Sequence, residues 1–491
     1  MDKVLKLYID KFNSDDREYT NTFISNADCF DWLFKNIPLI DIPDKEIEEI
    51  YYFRYWVLRK HIKNTEDGKV VTEFLVPVPW ASKHNTIVAA IDFHISEAKW
   101  LKSASEILES HIELFLSEKA DPYRYSTPII DSVYRYCQHT GNFDFGIKNL
   151  DAMINYYCKM EQKHKMSCGL MCAKDDNDAT EYTISGSSSE LVLERGFRVT
   201  FNCYMAANAL AISKFADMAN RDDIKNEYFK KHTDLKSKIN EILWDGTFYK
   251  SIHGEELLEN PSFEILPDCQ NVKELMGYVP WIYGIAPEGR DKAFEQLKTS
   301  DGFYTEYGLS TAEARHSRYL FEHSHECLWN GYIWPFATSL VLKAVLNLTE
   351  NYNQNTITKL DFYNMLRQYA LSCHMVNEEG KKICWIDEVI SPVDGSWHSR
   401  NVLKSQGWPE AYGGFERGKD YNHSSYCDFV LAGLLGIDVT GDKISVNPKI
   451  PEDWNYFKVS NLTVGNRTYD IIYDKDGTHY GEGKGLIIRP C

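Results

Sequence analysis

No stretch of this 491-residue chain approaches the roughly 20 uninterrupted apolar residues that a membrane-spanning helix requires, so no membrane role is expected. Positive charge is scarce: 54 Lys and Arg stand against 72 Asp and Glu, a formal charge of −18, and no basic stripe is present. Nucleic-acid binding, which draws its affinity from clustered Lys and Arg, is therefore excluded as a principal activity. The opening MDKVLKLYIDKFNSDDREYT never builds the roughly 7–15-residue apolar segment of a secretory leader, which predicts a cytoplasmic address. The twelve Cys are scattered singly, not clustered as in a small disulfide scaffold, and in a reducing compartment they read as core thiols. The sequons at Asn347, Asn422, Asn461 and Asn466 would matter only in a secretory lumen. A G-x-S-x-G elbow, a phosphate-binding P-loop and a G-x-G-x-x-G turn are all missing, which weakens serine hydrolysis, phosphoryl transfer and hydride transfer.

What is present is helical periodicity. Asp44 to Ile62 begins with acidic residues in its first turn and ends with basic ones, matching both poles of a helix dipole. Thr127–Gly141, Phe197–Ala219 and Trp334–Leu348 repeat apolar residues every three to four positions. About a dozen such segments follow one another, joined by short loops rich in Gly, Asp, Asn and Pro. No Ser/Gly-rich linker divides them, and no 20–50-residue repeat suggests a solenoid. The texture changes after Gly436, where β-branched and aromatic residues alternate with polar ones. The expected fold is all-α: a closed ring of paired helices over residues 1–436, with residues 437–491 forming a small C-terminal antiparallel β-sheet packed on it.

Chemistry-bearing residues concentrate between the helices, in FLVPVPWASKHNT, YRYSTP, DDNDATEYTISGSS, ECLWNGYIWPF, CWIDEVISPVDGSW and RGKDYNHSSYCD. A sugar presents apolar C–H faces and a rim of hydroxyls, so its site needs aromatic platforms, such as Trp80, Trp329, Trp334 and Trp397, beside Asn, Asp, Arg and His. Glycosidic cleavage needs two carboxyl groups, one protonated and one ionised. Metal binding is the weaker reading at two places. His164, Cys168 and Cys172 share one face if the helix continues through them, but no fourth ligand lies close by. His323, His325 and Glu326 read as a polar loop as readily as a ligand set. No metal or other cofactor is expected.

Three runs in order, DATEYTISG (Asp178–Gly186), ECLWNGYIWPFATSLVLKAVLNL (Glu326–Leu348) and WIDEVISPVDG (Trp385–Gly395), resemble the trehalase-like and processing-α-glucosidase-like glycoside hydrolases. The likeness is greatest to the mannosylglycerate-hydrolase-like domains of glycoside hydrolase family 63. LWDGTFYK, ELMGYVPWIYGIAPEG and RGKDYNHSSYCDFVLAGLLG extend it over about residues 30 to 490. The resemblance implies an (α/α)6 toroid and an inverting mechanism. Its general acid corresponds to Glu181, with Asp178 as a rival or a hydroxyl-binding partner, and its base corresponds to Glu388. Further substrate contacts are expected from Trp80, Lys83, Asn85, Tyr125, Arg198, Asn202, Trp329, Asn330, Trp334 and His423. The chain departs from the family where the acid is Glu instead of Asp, where WASKHNT replaces a W-D motif, and in lacking a large N-terminal β-sandwich.

The function this predicts is an inverting, exo-acting glycosidase on short oligosaccharides or small glycosides. Two alternatives stand beside it: a sugar epimerase or lyase using His84, His325 or His423, and a non-catalytic carbohydrate-binding protein. If the segment around Asp387 and Glu388 is extended, the two side chains diverge, so that one faces the cavity and the other braces the loop. The acid should hold its proton through burial among aromatics, while Glu388 stays ionised.

Overall fold

The computed structural model describes residues 1–16 and 22–491; the end of the N-terminal stretch read above, from residue 17, lies outside the described residues. Inner and outer helices differ in composition. Val199–Met218 is buried on nearly every side, as suits a helix surrounded by others, whereas Asp222–Ile242 buries only Tyr228, His232, Leu235 and Ile239, a stripe at three- and four-residue spacing. The two pack against each other along their lengths.

Six inner segments close a ring among the described residues. Ile91–Ala98 packs on Ile129–Thr140, which packs on Val199–Met218; that helix meets Val279–Ile282, which meets Pro335–Asn351. Phe429–Leu434 then touches Pro335–Asn351, and Tyr426–Asp428, just before it, returns to Ile91–Ala98. Outside them lie Lys45–His61, Ala104–Leu116, Leu150–His164, Asp222–Ile242 and Lys359–Ser372. This is the (α/α)6 toroid expected from the sequence.

Local signals set the helix ends. Asp44 caps Lys45–His61 by accepting from the amides of Glu46 (3.1 Å) and Ile47 (3.2 Å). Thr358 and Asp361 form a reciprocal capping box at the start of Lys359–Ser372. Gly141, at φ 76°, ends Ile129–Thr140 in the left-handed conformation.

The strand-rich tail forms a hairpin, Ile437–Thr440 with Lys443–Val446, and a larger sheet of Tyr456–Val464, Arg467–Asp474 and Gly485–Pro490. That sheet also takes in Leu39–Asp41, antiparallel to Tyr456–Val464 with Ile40 opposite Val459. This strand from the N-terminal part was not read from the sequence, because three residues carry too little alternation to register.

The helical reading of His164, Cys168 and Cys172 does not hold. The helix stops at His164, Lys165 is extended, and Gly169 turns the chain at φ 93°. His164 Nδ1 instead donates to the Cys172 carbonyl at 2.9 Å.

Candidate active site

Residues just ahead of several inner helices gather at one end of the ring: Ala89 before Ile91–Ala98, Tyr125 before Ile129–Thr140, Trp334 before Pro335–Asn351 and His423 before Tyr426–Asp428. A cavity of about 320 Å³ at that end is lined by Ile87 and Ala89, Tyr125, the 176–182 loop, His325 to Cys327, Trp334, Glu388, Tyr421 and His423, with Glu73, Phe74 and Trp80 beside them. Two other depressions, about 680 Å³ and 550 Å³, are larger, but neither borders Glu181 or Glu388.

Glu181 sits in a loop bent at two non-glycine residues with positive φ, Ala179 (54°) and Tyr182 (59°), a conformation that costs energy and is held by its surroundings. Arg198 does the holding. It is completely buried, and donates to Asp175 (2.6 Å), Asp178 (2.8 Å) and the Thr180 hydroxyl (2.6 Å). Asp175 also accepts from the amide and hydroxyl of Thr183. Asp178, the rival acid, is thus engaged by Arg198, Ser126 and Thr200 and does not border the cavity. No side chain among the described residues donates to the Glu181 carboxyl. Burial, reinforced by the charge of Glu388, pushes it up to about 8. Tyr125 lies close enough that burial and then the Glu181 charge raise its phenol, keeping it a neutral donor.

Glu388 is held differently. Arg417 donates to it at 2.5 Å and to Glu326 at 2.8 Å, while its guanidinium lies 4.9 Å from the Trp80 ring centroid. Burial pushes Glu388 up to about 7, with Arg417 pulling against that rise. Against its own burial, Glu326 is held below the ordinary carboxylate range by Arg417 and His325. Asp387 turns away, accepting from the Glu388 amide (2.7 Å) and the Ser399 hydroxyl (2.9 Å). Gly418 is required beside it, because a Cβ there would come within 2.0 Å of the Asp387 carboxylate.

Two buried polar atoms on the cavity wall have no protein partner among the described residues: Asp176 Oδ1 and His423 Nε2. His423 presents that nitrogen because Nδ1 is engaged by Glu73 and by the Tyr421 hydroxyl (2.9 Å).

Of the residues expected from the sequence, Trp80, Tyr125, Glu181, Trp334, Glu388 and His423 meet at the cavity. The others stand behind it or outside. Lys83 is paired with Asp67 and Glu66 at the surface. Asn85 braces its own loop through the carbonyls of Phe74 and Val76 and the amide of Val78. Asn202 bridges Met171 and Arg198, and Asn330 donates to the Phe321 carbonyl. Trp329 is buried beneath Trp334, with ring centroids 4.5 Å apart, and Trp397 donates to the His374 carbonyl. Sequence reasoning named no role for Glu73, Phe74, Arg124, Asp176, Tyr182, Arg417 or Tyr421, and gave Glu326 only as part of a possible metal-ligand set with His323 and His325. All but Glu73 fall inside the aromatic and carboxylate-rich runs quoted above, or in the neighbouring FEHSHECLWNG, which was the available signal.

Paired carboxyls facing one sugar-sized cavity at the end of an (α/α)6 ring define a glycoside-hydrolase type of site. The mannosylglycerate hydrolase MGH1-like glycoside hydrolase domain matches residues 83–424, and the C-terminal domain of glycosyl hydrolase family 65 matches residues 437–489. The chain belongs to the MGH1-like glycoside hydrolase family. All of it superposes on 43% of a sialidase chain, at 30% identity and a TM-score of 0.87. A family 78 rhamnosidase of Bacillus sp. GL1 shares the fold over 90% of this chain and 40% of its own, at 12% identity and a TM-score of 0.58. An uncharacterized protein of Borreliella burgdorferi is 31% identical over 176 residues, 35% of this chain and 33% of that protein. The chain therefore spans less than half the length of these relatives.

Proposed function

We propose that the protein is an inverting, exo-acting glycosidase on short oligosaccharides or small glycosides, with Glu181 as general acid and Glu388 as general base. The observation that carries this is the unequal company of two carboxyls, 207 positions apart in sequence, that border one cavity: Arg417 bonds Glu388, whereas burial raises Glu181 with no cation bonded to it among the described residues. The group without a cation keeps its proton and donates it to the leaving oxygen; the group bonded to Arg417 gives up its proton first and activates water. Burial works against ionisation of Glu388, and Arg417 works for it.

A cavity of about 320 Å³ lies at the small end of the roughly 300–1,000 Å³ range of small-molecule sites, which favours a terminal residue over a long chain. Trp80 and Trp334 supply apolar faces, while Asp176 and His423 offer free polar atoms to hydroxyls. The family description names mannosylglycerate hydrolase, and the similar chains are named sialidase and rhamnosidase, all of them activities on glycosides. Anomer-resolved NMR of the first product, on a screen of natural and aryl glycosides, tests the proposal. Inversion at the anomeric carbon is expected; retention would remove Glu388 from the role of base.

One arrangement favours a second reading. Glu73 and Tyr421 orient His423 so that its Nε2 faces the cavity, as a proton-abstracting base of an epimerase or lyase would. An unsaturated or epimerised product in the same NMR experiment would select it.

A further inference from the structure

Three clusters of mixed metal-ligating side chains occur among the described residues: His325 with Glu326 and Cys327, Glu66 with Asp67 and His84, and Glu49 with His374 and Cys384. In the first, Arg417 occupies Glu326 and the Cys327 amide occupies His325 Nδ1. In the second, Lys83, Lys119 and His84 saturate Asp67. The third shares no residue with the lining of the cavity described above and differs from both.

Here two elements each contribute a pair. His374 and Cys384 are directly opposite in the hairpin of His374–Val376 with Lys382–Cys384, so their side chains share one face. Glu46 and Glu49 are three apart in Lys45–His61 and share one face of that helix. His374 Nδ1 lies 3.2 Å from the Leu371 carbonyl; a carbonyl only accepts, so Nδ1 carries a hydrogen and Nε2 is the atom turned toward the two glutamates. That Nε2 stands 3.9 Å from Glu46 Oε2 and 4.0 Å from Glu49 Oε2, too far for a hydrogen bond. Ligands bound tetrahedrally at about 2.0–2.1 Å would be roughly 3.3 Å apart, so His374 and the two glutamates would have to close by roughly 0.6–0.7 Å. The ligating atoms of Glu49, His374 and Cys384 all lie within 4.8 Å of one another. Glu46 Oε2 is buried without a hydrogen-bond partner, with Lys382 3.6 Å away. Lys11 engages Glu49 through its other oxygen, Oε1. Cys384 is a free thiol.

We propose that Glu49, His374 and Cys384, with Glu46 as fourth ligand, form a structural zinc site that pins the hairpin to the outer helix. One imidazole, one thiolate and two carboxylates suit Zn²⁺ better than Mg²⁺ or Ca²⁺, which take oxygen ligands. The site opens toward the 550 Å³ depression lined by Glu46 and Glu49, which supplies a path for the ion. Cys384 also begins the run that reaches Glu388 four residues later, so the ion would steady the approach to that loop.

The test uses tag-free, metal-stripped full-length protein titrated with zinc chloride or cobalt chloride. About one zinc per chain is expected, with a thiolate-to-cobalt charge-transfer band. Cys384→Ser should abolish the band and His374→Ala should weaken zinc binding at least about tenfold, while Cys158→Ser, at an exposed thiol, should change neither. Should either variant fail to fold, the wild type decides: zinc should protect Cys384 from alkylation, read by peptide mass mapping. Absence of zinc uptake, a band retained in Cys384→Ser, unchanged zinc affinity in His374→Ala, or undiminished alkylation of Cys384 in the presence of zinc would overturn the proposal.

Discussion

The loops that carry Glu181 and Glu388 are built from the same materials and put their arginine in different places. In the first, Arg198 is spent on Asp175, Asp178 and Thr180, which shape the loop, and the Glu181 carboxyl receives no cation. In the second, Arg417 bonds Glu388 itself, and Asp387 is the carboxylate that braces the backbone. Both glutamates are raised by burial, yet the one left without a partner is raised further. What distinguishes the two carboxyls is the placement of one guanidinium, not the identity of the acidic residue.

The sharpest way to break this comparison is to neutralise each glutamate. Glu181→Gln and Glu388→Gln should each lower kcat/KM on a natural glycoside by about 10²–10⁴-fold. On an aryl glycoside with a good leaving group, which needs little acid assistance, only Glu181→Gln should recover. Equal recovery by both variants would erase the division of roles.

Arg417→Met should come next in size. Losing the cation lets burial raise Glu388 further, so the acid limb of the kcat/KM profile, expected near 7, should move up by about one to three pH units, with Arg417→Lys intermediate. An unmoved limb in Arg417→Met would detach Arg417 from the base. The two macroscopic values belong to the pair, so the bell should be narrow, falling again near 8 as Glu181 loses its proton.

Stability should separate the loops as well. A carboxyl held at about 8, above its ordinary 4.5, contributes stability that is complete below pH 4.5 and lost as pH rises through 8. Glu181→Gln has no proton to lose, so at pH 8 it should be more stable than the wild type by on the order of 1–3 kcal/mol, a difference that vanishes near pH 4. Glu388→Gln should be destabilised instead, because it leaves buried Arg417 with only one of its two carboxylate partners. Denaturant titrations at both pH values read the two signs. The smallest effect is expected at Lys83, whose ion pair is at the surface: Lys83→Ala should change kcat/KM less than twofold and leave stability nearly unchanged. A tenfold loss of activity would bring Lys83 back to the substrate.

Much of the toroid could be read in advance, because helix periodicity and capping are written in neighbouring residues. The segments read as Thr127–Gly141 and Phe197–Ala219 fold as Ile129–Thr140 and Val199–Met218. The face shared by His164, Cys168 and Cys172 failed because the backbone is already extended at Lys165, which ended the helical spacing on which it depended. Lys83, Asn85 and Asn202 were drawn from the right loops and helices, but composition says nothing of which way a side chain points. Arg417 was missed as the partner of Glu388 because 29 positions separate them and only folding brings them together.

The sequence by itself determined the helices, the strand-rich tail and the pair of glutamate loops, since each depends on the order of adjacent residues. Tertiary structure decided which polar residues face the cavity, which strand joins the tail sheet, and which glutamate is bonded to a guanidinium. Those depend on dehydration and on distances between groups remote in the chain, and neither exists until the ring has closed.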